Sequence, residues 1–413
     1  MKKILILGGG TGGLIVGNKL ARELRNEIAK DQVEILILDK SEVAVNKAGF
    51  TFVPFGYLTK QDLIRNKKSL VSPRIKSIFG EKGKIKHVDI KNKKVFTESN
   101  NEFSYDYLVI AMGSYPDLDN INGLSNKDYN TFYTSYNDAF TLGQKLKLFK
   151  KGNIIILVTK MPIPCPGASL KFSILLSDYF QYTRNFNTKE QINIRIIWPT
   201  KSIGPPAYDS IVKKACDNKG VDLIKEYNFL QIDENKREII SSNTRNGNIK
   251  YDFLITIPQF TIDKALISSG LTNNNGNVSE EVKTQNGNWI PTDKNSLQYY
   301  KSPREHYEDV YAIGDNGSPE IPKTGIAAHY QALITAQNII NDIHGNGVVA
   351  LYRGEAGCPF VESSYTSHSR GMAYIPIWTY DRPPQKFPST ELGWLFYRMY
   401  YYLHWDSTIK GLM

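Results

Sequence analysis

Cysteine is scarce in this 413-residue chain: there are three, Cys165, Cys216 and Cys358, far apart in the sequence. A secreted fold stapled by disulfides needs closely spaced, paired cysteines, so that class is excluded. Long apolar runs are also missing. The longest fall well short of the ~20 residues a spanning helix requires, and the mean hydropathy is −0.36, which excludes a polytopic membrane protein. Acid is in deficit, with 41 Asp+Glu against 51 Lys+Arg and a formal net charge of +10. The surplus favours an anionic partner without choosing between nucleic acid and anionic lipid. Nucleic acid has the weaker support, because the chain shows no helix-turn-helix, no zinc-ligand spacing and no concentrated basic stripe. No metal site is expected. What remains is a globular composition with 41% hydrophobic residues and 31 Gly and 19 Pro spread along the chain. At about 100–200 residues per domain, two or three domains are expected.

The N-terminus carries the first positive signal. Ile4-Leu5-Ile6-Leu7 is a short β-branched run followed at once by Gly8-Gly9-Gly10-Thr11-Gly12-Gly13. Gly8, Gly10 and Gly13 satisfy G-x-G-x-x-G, in which the first glycine permits the turn, the second admits a pyrophosphate and the third packs helix on strand. Leu14 to Leu24 reads as a helix, and Val33 to Asp39 as a second buried strand. Asp39 stands about where a ribose hydroxyl partner belongs. The first strand begins within a few residues of Met1, so no presequence fits and a cytoplasmic protein is expected.

Two later stretches, Tyr105 to Ser114 with Gly113 near its end and Val310 to Asp315, read as strands closing on small residues and on Gly-Asp. With the glycine fingerprint they resemble the two-dinucleotide-binding-domain flavoproteins. The resemblance implies FAD as cofactor, bound by a discontinuous domain in which Asp315 meets the ribityl chain.

Nicotinamide-oxidising members of that superfamily carry a second glycine fingerprint after the first strand of an inserted domain. Here the strand is recognisable at Asn153 to Val158, but it runs into Thr159-Lys160-Met161-Pro162-Ile163-Pro164-Cys165-Pro166-Gly167-Ala168. Proline has no N–H to offer a pyrophosphate, so NADH is not the expected reductant. A cysteine held between prolines, ahead of a helix start near Ala168 and beside Lys160 and Lys171, has surroundings that favour a thiolate. The alternative is a small buried loop residue.

Cys358 lies in Tyr352-Arg353-Gly354-Glu355-Ala356-Gly357-Cys358-Pro359-Phe360-Val361. That motif, with Pro-Cys-Pro-Gly-Ala-Ser-Leu-Lys at 164–171 and Pro-Lys-Thr-Gly at 322–325, resembles the sulfide:quinone oxidoreductases from Gly8 to the C-terminus. The resemblance implies a redox pair, Cys165 and Cys358, beside the flavin, with hydrogen sulfide and quinone as substrates. Within that pair our reading sets Cys358 toward the flavin and Cys165 as the persulfide carrier, an assignment the resemblance leaves open. Lys171 stands where some members place a glutamate base, and no cysteine precedes Cys165 to hold the flavin covalently. Cys216, on a helix of mixed polarity, reads as structural. Lys323 and Thr324 open a capped helix over 326–340 and supply charge and N–H groups for a reduced flavin, the alternative being a solvated lysine.

The fold class expected is α/β with two Rossmann-like domains, the second without a nucleotide site, plus a membrane-associating C-terminal region. The boundaries are 1–118 and 257–345 for the FAD domain, 119–256 for the second domain and 346–413 for the C-terminal region. The tail from Gly393 to Trp405 is strongly aromatic and is expected to lie in a membrane interface, on the cytoplasmic face, as a peripheral anchor. Phe360, Phe396 and Tyr400 are the candidate quinone-contacting residues. The alternatives for this tail are core packing and a homo-oligomer contact. The competing enzyme readings are a sulfide dehydrogenase with a cytochrome acceptor and a type II NADH:quinone reductase.

Overall fold

The computed structural model describes residues 1–125, 129–183, 191–243, 247–272, 288–302, 304–364, 370–384 and 388–413. Its larger sheet is six-stranded. Lys2–Leu7 lies at its centre, parallel to Val33–Asp39 on one side and to Tyr107–Ile110 on the other. Lys76–Phe79 extends the first side and Glu305–Ala312 the second, both parallel, with Gln298–Ser302 antiparallel at the edge. Ile4 to Leu7 and Leu108 to Ile110 are at most 2% exposed. Strands buried on both faces need such continuous apolar runs.

The glycine turn leads into the helix Thr11–Glu23, which packs against Gly325–Ile343. Gly17 lets the first helix sit close on the sheet, since a side chain there would come within 2.9 Å of Ile37. The six-stranded sheet thus takes its strands from residues 2–110 and 298–312. The intervening chain builds a second, fully parallel sheet in the order Val221–Ile224, Ile192–Ile197, Gly152–Val158, Phe253–Ile257. Against it lies the helix Gly167–Asp178, in which every residue is buried.

In both sheets the loops that matter leave the C-terminal ends of the strands, where doubly wound folds hold their ligands. Cys216 is on the helix Pro206–Lys219, fully buried and remote from those loops. Burial pushes its thiol up to about 12.

The C-terminal region closes over this junction. Two short hairpins, Ala356–Gly357 with Ile377–Trp378 and Phe360–Ser363 with Met372–Tyr374, precede the helix Glu391–Leu403. Thr390 caps that helix by accepting from the Gly393 N–H at 2.9 Å. Trp394, Tyr397 and Tyr401 face inward around the Phe52 ring, at 6.1, 5.5 and 5.6 Å between centroids. Leu392, Leu395, Phe396, Met399 and Leu403 are 40–58% exposed, and at 100° per residue they share the opposite face. Among the described residues no helix is long and apolar enough to cross a membrane.

Candidate active site

The strand Gly152–Val158 ends where a second nucleotide turn would begin, and the chain instead carries Cys165 into a confined corner. Its φ is +45, a left-handed conformation that costs a non-glycine residue about 1 kcal/mol or more. Backbone contacts hold it there. Its N–H donates to the Lys323 carbonyl at 2.5 Å, and its own carbonyl accepts from Ala168 N–H at 2.8 Å and from the Tyr133 hydroxyl at 3.0 Å. Cys358 arrives from the C-terminal region, and the two sulfurs stand 3.5 Å apart. That is a dithiol whose atoms close to a disulfide, ~2.05 Å, by a small rotation. Gly167 must be glycine here, because a side chain would overlap the Cys358 sulfur and the Tyr208 hydroxyl.

Of the two lysines expected near the thiol, Lys160 is exposed at the strand end, whereas Lys171 is buried with Nζ 3.9 Å from Cys165 Sγ. Burial alone would discharge Lys171, but the charge of Cys165 and then of Cys358 opposes it and moves its pKa up. The electrostatics of the thiols differ from the expectation at Cys165. The surroundings of Cys165 were expected to ionise it. Yet its pKa is raised, first because it hydrogen-bonds Cys358 and then because it is buried. Cys358 is pushed down to about 6, foremost by that same hydrogen bond. Burial opposes this shift, and Lys171, Tyr208 and the Gly167 N–H at the helix start assist it. The two thiols titrate as a coupled pair, with the upward shift on Cys165 and the downward shift on Cys358.

The nucleotide cleft opens at the C-terminal end of the larger sheet. Gly8 has φ +99, and a side chain at Gly13 would overlap the Gly8 carbonyl. Nothing lies within 4 Å of where side chains at Gly10 and Gly113 would project, so both border open space. Asp39 accepts from Gly9 N–H at 2.6 Å, Ser41 N–H at 2.7 Å and Lys67 Nζ at 2.8 Å. It lines a cavity with Gly8, Met112 and Tyr115. Asp315 sits in the turn Gly314–Asn316, where its carboxylate accepts from the Ser114 hydroxyl at 3.2 Å.

Thr324 caps the helix Gly325–Ile343 by accepting from Ala327 N–H at 3.1 Å. A second small cavity is lined by Gly314, Lys323, Thr324 and Gln331. A glycine turn at a helix start, open space beside it and carboxylates at both ends of the cleft fit FAD. Lys323 is less of a cation than its sequence implies. It is 5% exposed, donates to the Gly317 carbonyl at 2.6 Å and lies 3.8 Å over the Trp289 ring. Burial pulls it down to about 7.

The three residues expected to contact quinone do not form one wall. Phe360 is 2% exposed and closed in by Tyr208 and Tyr374, so it backs the sulfur pair. Phe396 is 54% exposed. Tyr400, one turn on and half-buried, brings its hydroxyl 3.7 Å from where a Gly325 side chain would project. Sequence reasoning missed Lys47 and Lys67 in the cleft, both pulled down chiefly by burial, and Tyr133 and Tyr208 at the sulfurs. None of these lies in a motif. Only the i, i+4 spacing of Tyr397 and Tyr401 hinted that both sit on one face of a helix.

Comparison with known proteins agrees with this geometry. Residues 2–157 match the family model described as pyridine nucleotide-disulphide oxidoreductase. The chain is 26% identical over 87% of its length to the mitochondrial sulfide:quinone oxidoreductase of Dictyostelium discoideum, covering 75% of that protein. It is 23% identical over 99% of its length to the mouse protein of the same name, covering 86%. Type II NADH:quinone oxidoreductase of Staphylococcus haemolyticus is 33% identical but over only 31% of this chain. The structure of the Aquifex aeolicus sulfide:quinone oxidoreductase superposes with a TM-score of 0.78 at 17% identity, over 100% of this chain and 92% of that one. A fold of two Rossmann-like domains and a cleft fitted to FAD mark an FAD-dependent flavoprotein, and along nearly its full length the chain is similar to sulfide:quinone oxidoreductases.

Proposed function

We propose that the protein oxidises hydrogen sulfide at the Cys165/Cys358 pair, to polysulfide or zero-valent sulfur, and passes the electrons by way of FAD to a membrane quinone. The observation that carries this reading is the dithiol itself. Two sulfurs 3.5 Å apart, with a buried lysine 3.9 Å from one of them, occupy the corner where a nicotinamide-binding turn would lie. In the oxidised state the pair is a disulfide, and HS⁻ attacks it by thiol–disulfide exchange. A bond forms between the incoming sulfur and Cys165 Sγ while the Cys165–Cys358 bond breaks. The products are a persulfide on Cys165 and a thiolate on Cys358, the sulfur that the surroundings favour as thiolate.

Lys171 holds positive charge beside the sulfurs throughout. A second HS⁻ removes the outer sulfur as HSS⁻ and leaves Cys165 as thiol. Closing the disulfide again releases two electrons and a proton, for a net change of 2 HS⁻ to HSS⁻ + H⁺ + 2 e⁻. Bound FAD supplies the two-electron acceptor between this sulfur chemistry and the quinone. Gly8, Gly10, Gly13, Asp39, Gly113, Asp315 and Thr324 would hold it.

The quinone is proposed to approach from the membrane along the C-terminal helix, past Phe396 and Tyr400, to the exposed Gly325. The outward apolar stripe of that helix and the positive net charge support peripheral attachment to an anionic, cytoplasmic leaflet. Anaerobic addition of sulfide to the FAD-loaded protein is expected to bleach the flavin absorbance, and a short-chain quinone to restore it. Cys165→Ser and Cys358→Ser should retain FAD and fail to bleach, while Cys216→Ser should behave as wild type. Bound FAD that stays oxidised in sulfide would refute the proposal. Bleaching without quinol formation would reduce it to a sulfur-binding flavoprotein without turnover.

A further inference from the structure

The buried ammonium beside the sulfur pair is held from an unexpected direction. Lys171 Nζ donates to the Tyr397 hydroxyl at 3.1 Å and lies 5.3 Å from the centre of its ring. The Tyr397 and Tyr401 hydroxyls are 3.0 Å apart, and Tyr401 donates to the Ala48 carbonyl at 3.2 Å. Lys171, Tyr397 and Tyr401 are 3%, 2% and 1% exposed. The lysine belongs to the helix after Cys165, the tyrosines to the C-terminal helix more than 220 residues later, and Ala48 to the Lys47–Phe55 segment at the nucleotide cleft. A lysine carries four rotatable bonds and swings freely unless it is tied. Here the tie is a hydroxyl on the helix whose other face carries the exposed apolar stripe.

We propose that Tyr397, braced by Tyr401, is a positioning residue that fixes the Lys171 ammonium against the Cys165/Cys358 pair, so that the C-terminal helix sets how firmly the pair holds its negative charge. The inference rests on the reading of that pair as the reactive centre. The groups facing the sulfurs are Lys171 on the helix that follows Cys165, Tyr133 in the second domain, Tyr208 on the Pro206–Lys219 helix, Asp315 at the cleft, and Tyr397, Tyr400 and Tyr401 on the C-terminal helix. Of these Lys171 is the cation, and among the described residues Tyr397 is the hydroxyl to which it donates.

The test is the pH dependence of iodoacetamide alkylation of Cys358 in the FAD-loaded, dithiol-reduced protein, read by mass spectrometry of the Cys358 peptide. Tyr397→Phe is expected to move the midpoint of the profile upward by about half to one pH unit. At pH 6 the rate then falls about two- to fivefold, while the limiting rate at high pH is unchanged. Tyr401→Phe should shift it in the same direction by less, and Lys171→Met by more. Tyr402→Phe, exposed on the same helix, should leave the profile in place. Should Tyr397→Phe lose FAD or fail to fold, Tyr401→Phe carries the test.

A midpoint unchanged in a folded, FAD-loaded Tyr397→Phe protein, or in Tyr401→Phe if that variant has to stand in, would overturn the inference. Because alkylation needs neither sulfide nor quinone, its outcome is separate from that of the proposed function. Wild-type protein that ignores sulfide defeats the function alone. An unshifted profile in a sulfide-active protein defeats the positioning role alone.

Discussion

Replacing two leucines on the outer face of the C-terminal helix tests the proposed membrane contact quantitatively. Leu392 and Leu395 are 58% and 53% exposed, so about half of each side chain still has water to lose. Full burial of a leucine contributes about 1.5–3 kcal/mol, and half of that is about 1 kcal/mol each. Five such side chains on the stripe therefore offer on the order of 5 kcal/mol, enough for reversible attachment when anionic lipid adds its share.

Leu392→Asp/Leu395→Asp removes about 2 kcal/mol of this, a ~30-fold loss in partitioning. The two new carboxylates deepen the loss on an anionic surface. Both positions point away from Trp394, Tyr397 and Tyr401, so FAD content and reduction by sulfide should be unaffected. The assay is co-sedimentation with vesicles containing anionic lipid, across a lipid titration. Leu148→Asp, at a residue 79% exposed at the end of another helix, serves as the control and should sediment as wild type. If the double variant partitions as wild type does, the stripe is not the membrane contact. A monomer–dimer change measured for the same variant would then assign it to self-association.

The cleft and the sulfur pair give sharper outcomes. Gly13→Ala places a methyl group on the Gly8 carbonyl, so the purified protein should lose most of its FAD, read by the ratio of flavin to protein absorbance. Gly167→Ala pushes Cys358 and Tyr208 apart from the helix start. It should keep FAD while cutting flavin reduction by sulfide at least tenfold in stopped flow. A thiol held at about 6 is ionised above that pH and protonated below it. Alkylation of Cys358 in the reduced protein should therefore be about tenfold slower at pH 5 than its plateau above pH 7; a midpoint near 9 would contradict the site's electrostatics. NADH should reduce the flavin negligibly in a stopped-flow experiment, since three prolines stand where pyrophosphate-binding N–H groups would be needed.

Much of this protein is legible without its tertiary structure because the relevant signals are local. A glycine fingerprint after a four-residue apolar run forces strand, turn and helix. Three prolines around Cys165 remove the donors that a second nucleotide site needs. Thr324 three residues before Ala327 writes a helix cap, and the structure places that cap at 3.1 Å. Motif resemblance also named Cys165 and Cys358 together, although they are 193 residues apart.

What the sequence could not decide depends on contacts between distant segments. It pointed to Cys165 as the thiolate because prolines, a helix start and lysines are its neighbours in the chain. Folding brings Cys358 to Cys165 first of all, and also to Lys171, the Tyr208 hydroxyl and the Gly167 N–H, and these contacts lower its pKa while that of Cys165 is raised. Lys323 read as a cation, and burial over the Trp289 ring pulls it down to about 7. Phe360 and Phe396 read alike as aromatic candidates, yet one is sealed beside the sulfurs and the other faces outward. Local sequence determined which chemical groups this protein owns and the turns that hold them. Solvent exclusion and charge, which act through space between segments far apart in the chain, decided how the two thiols and the buried lysines are shifted and which hydroxyl holds Lys171.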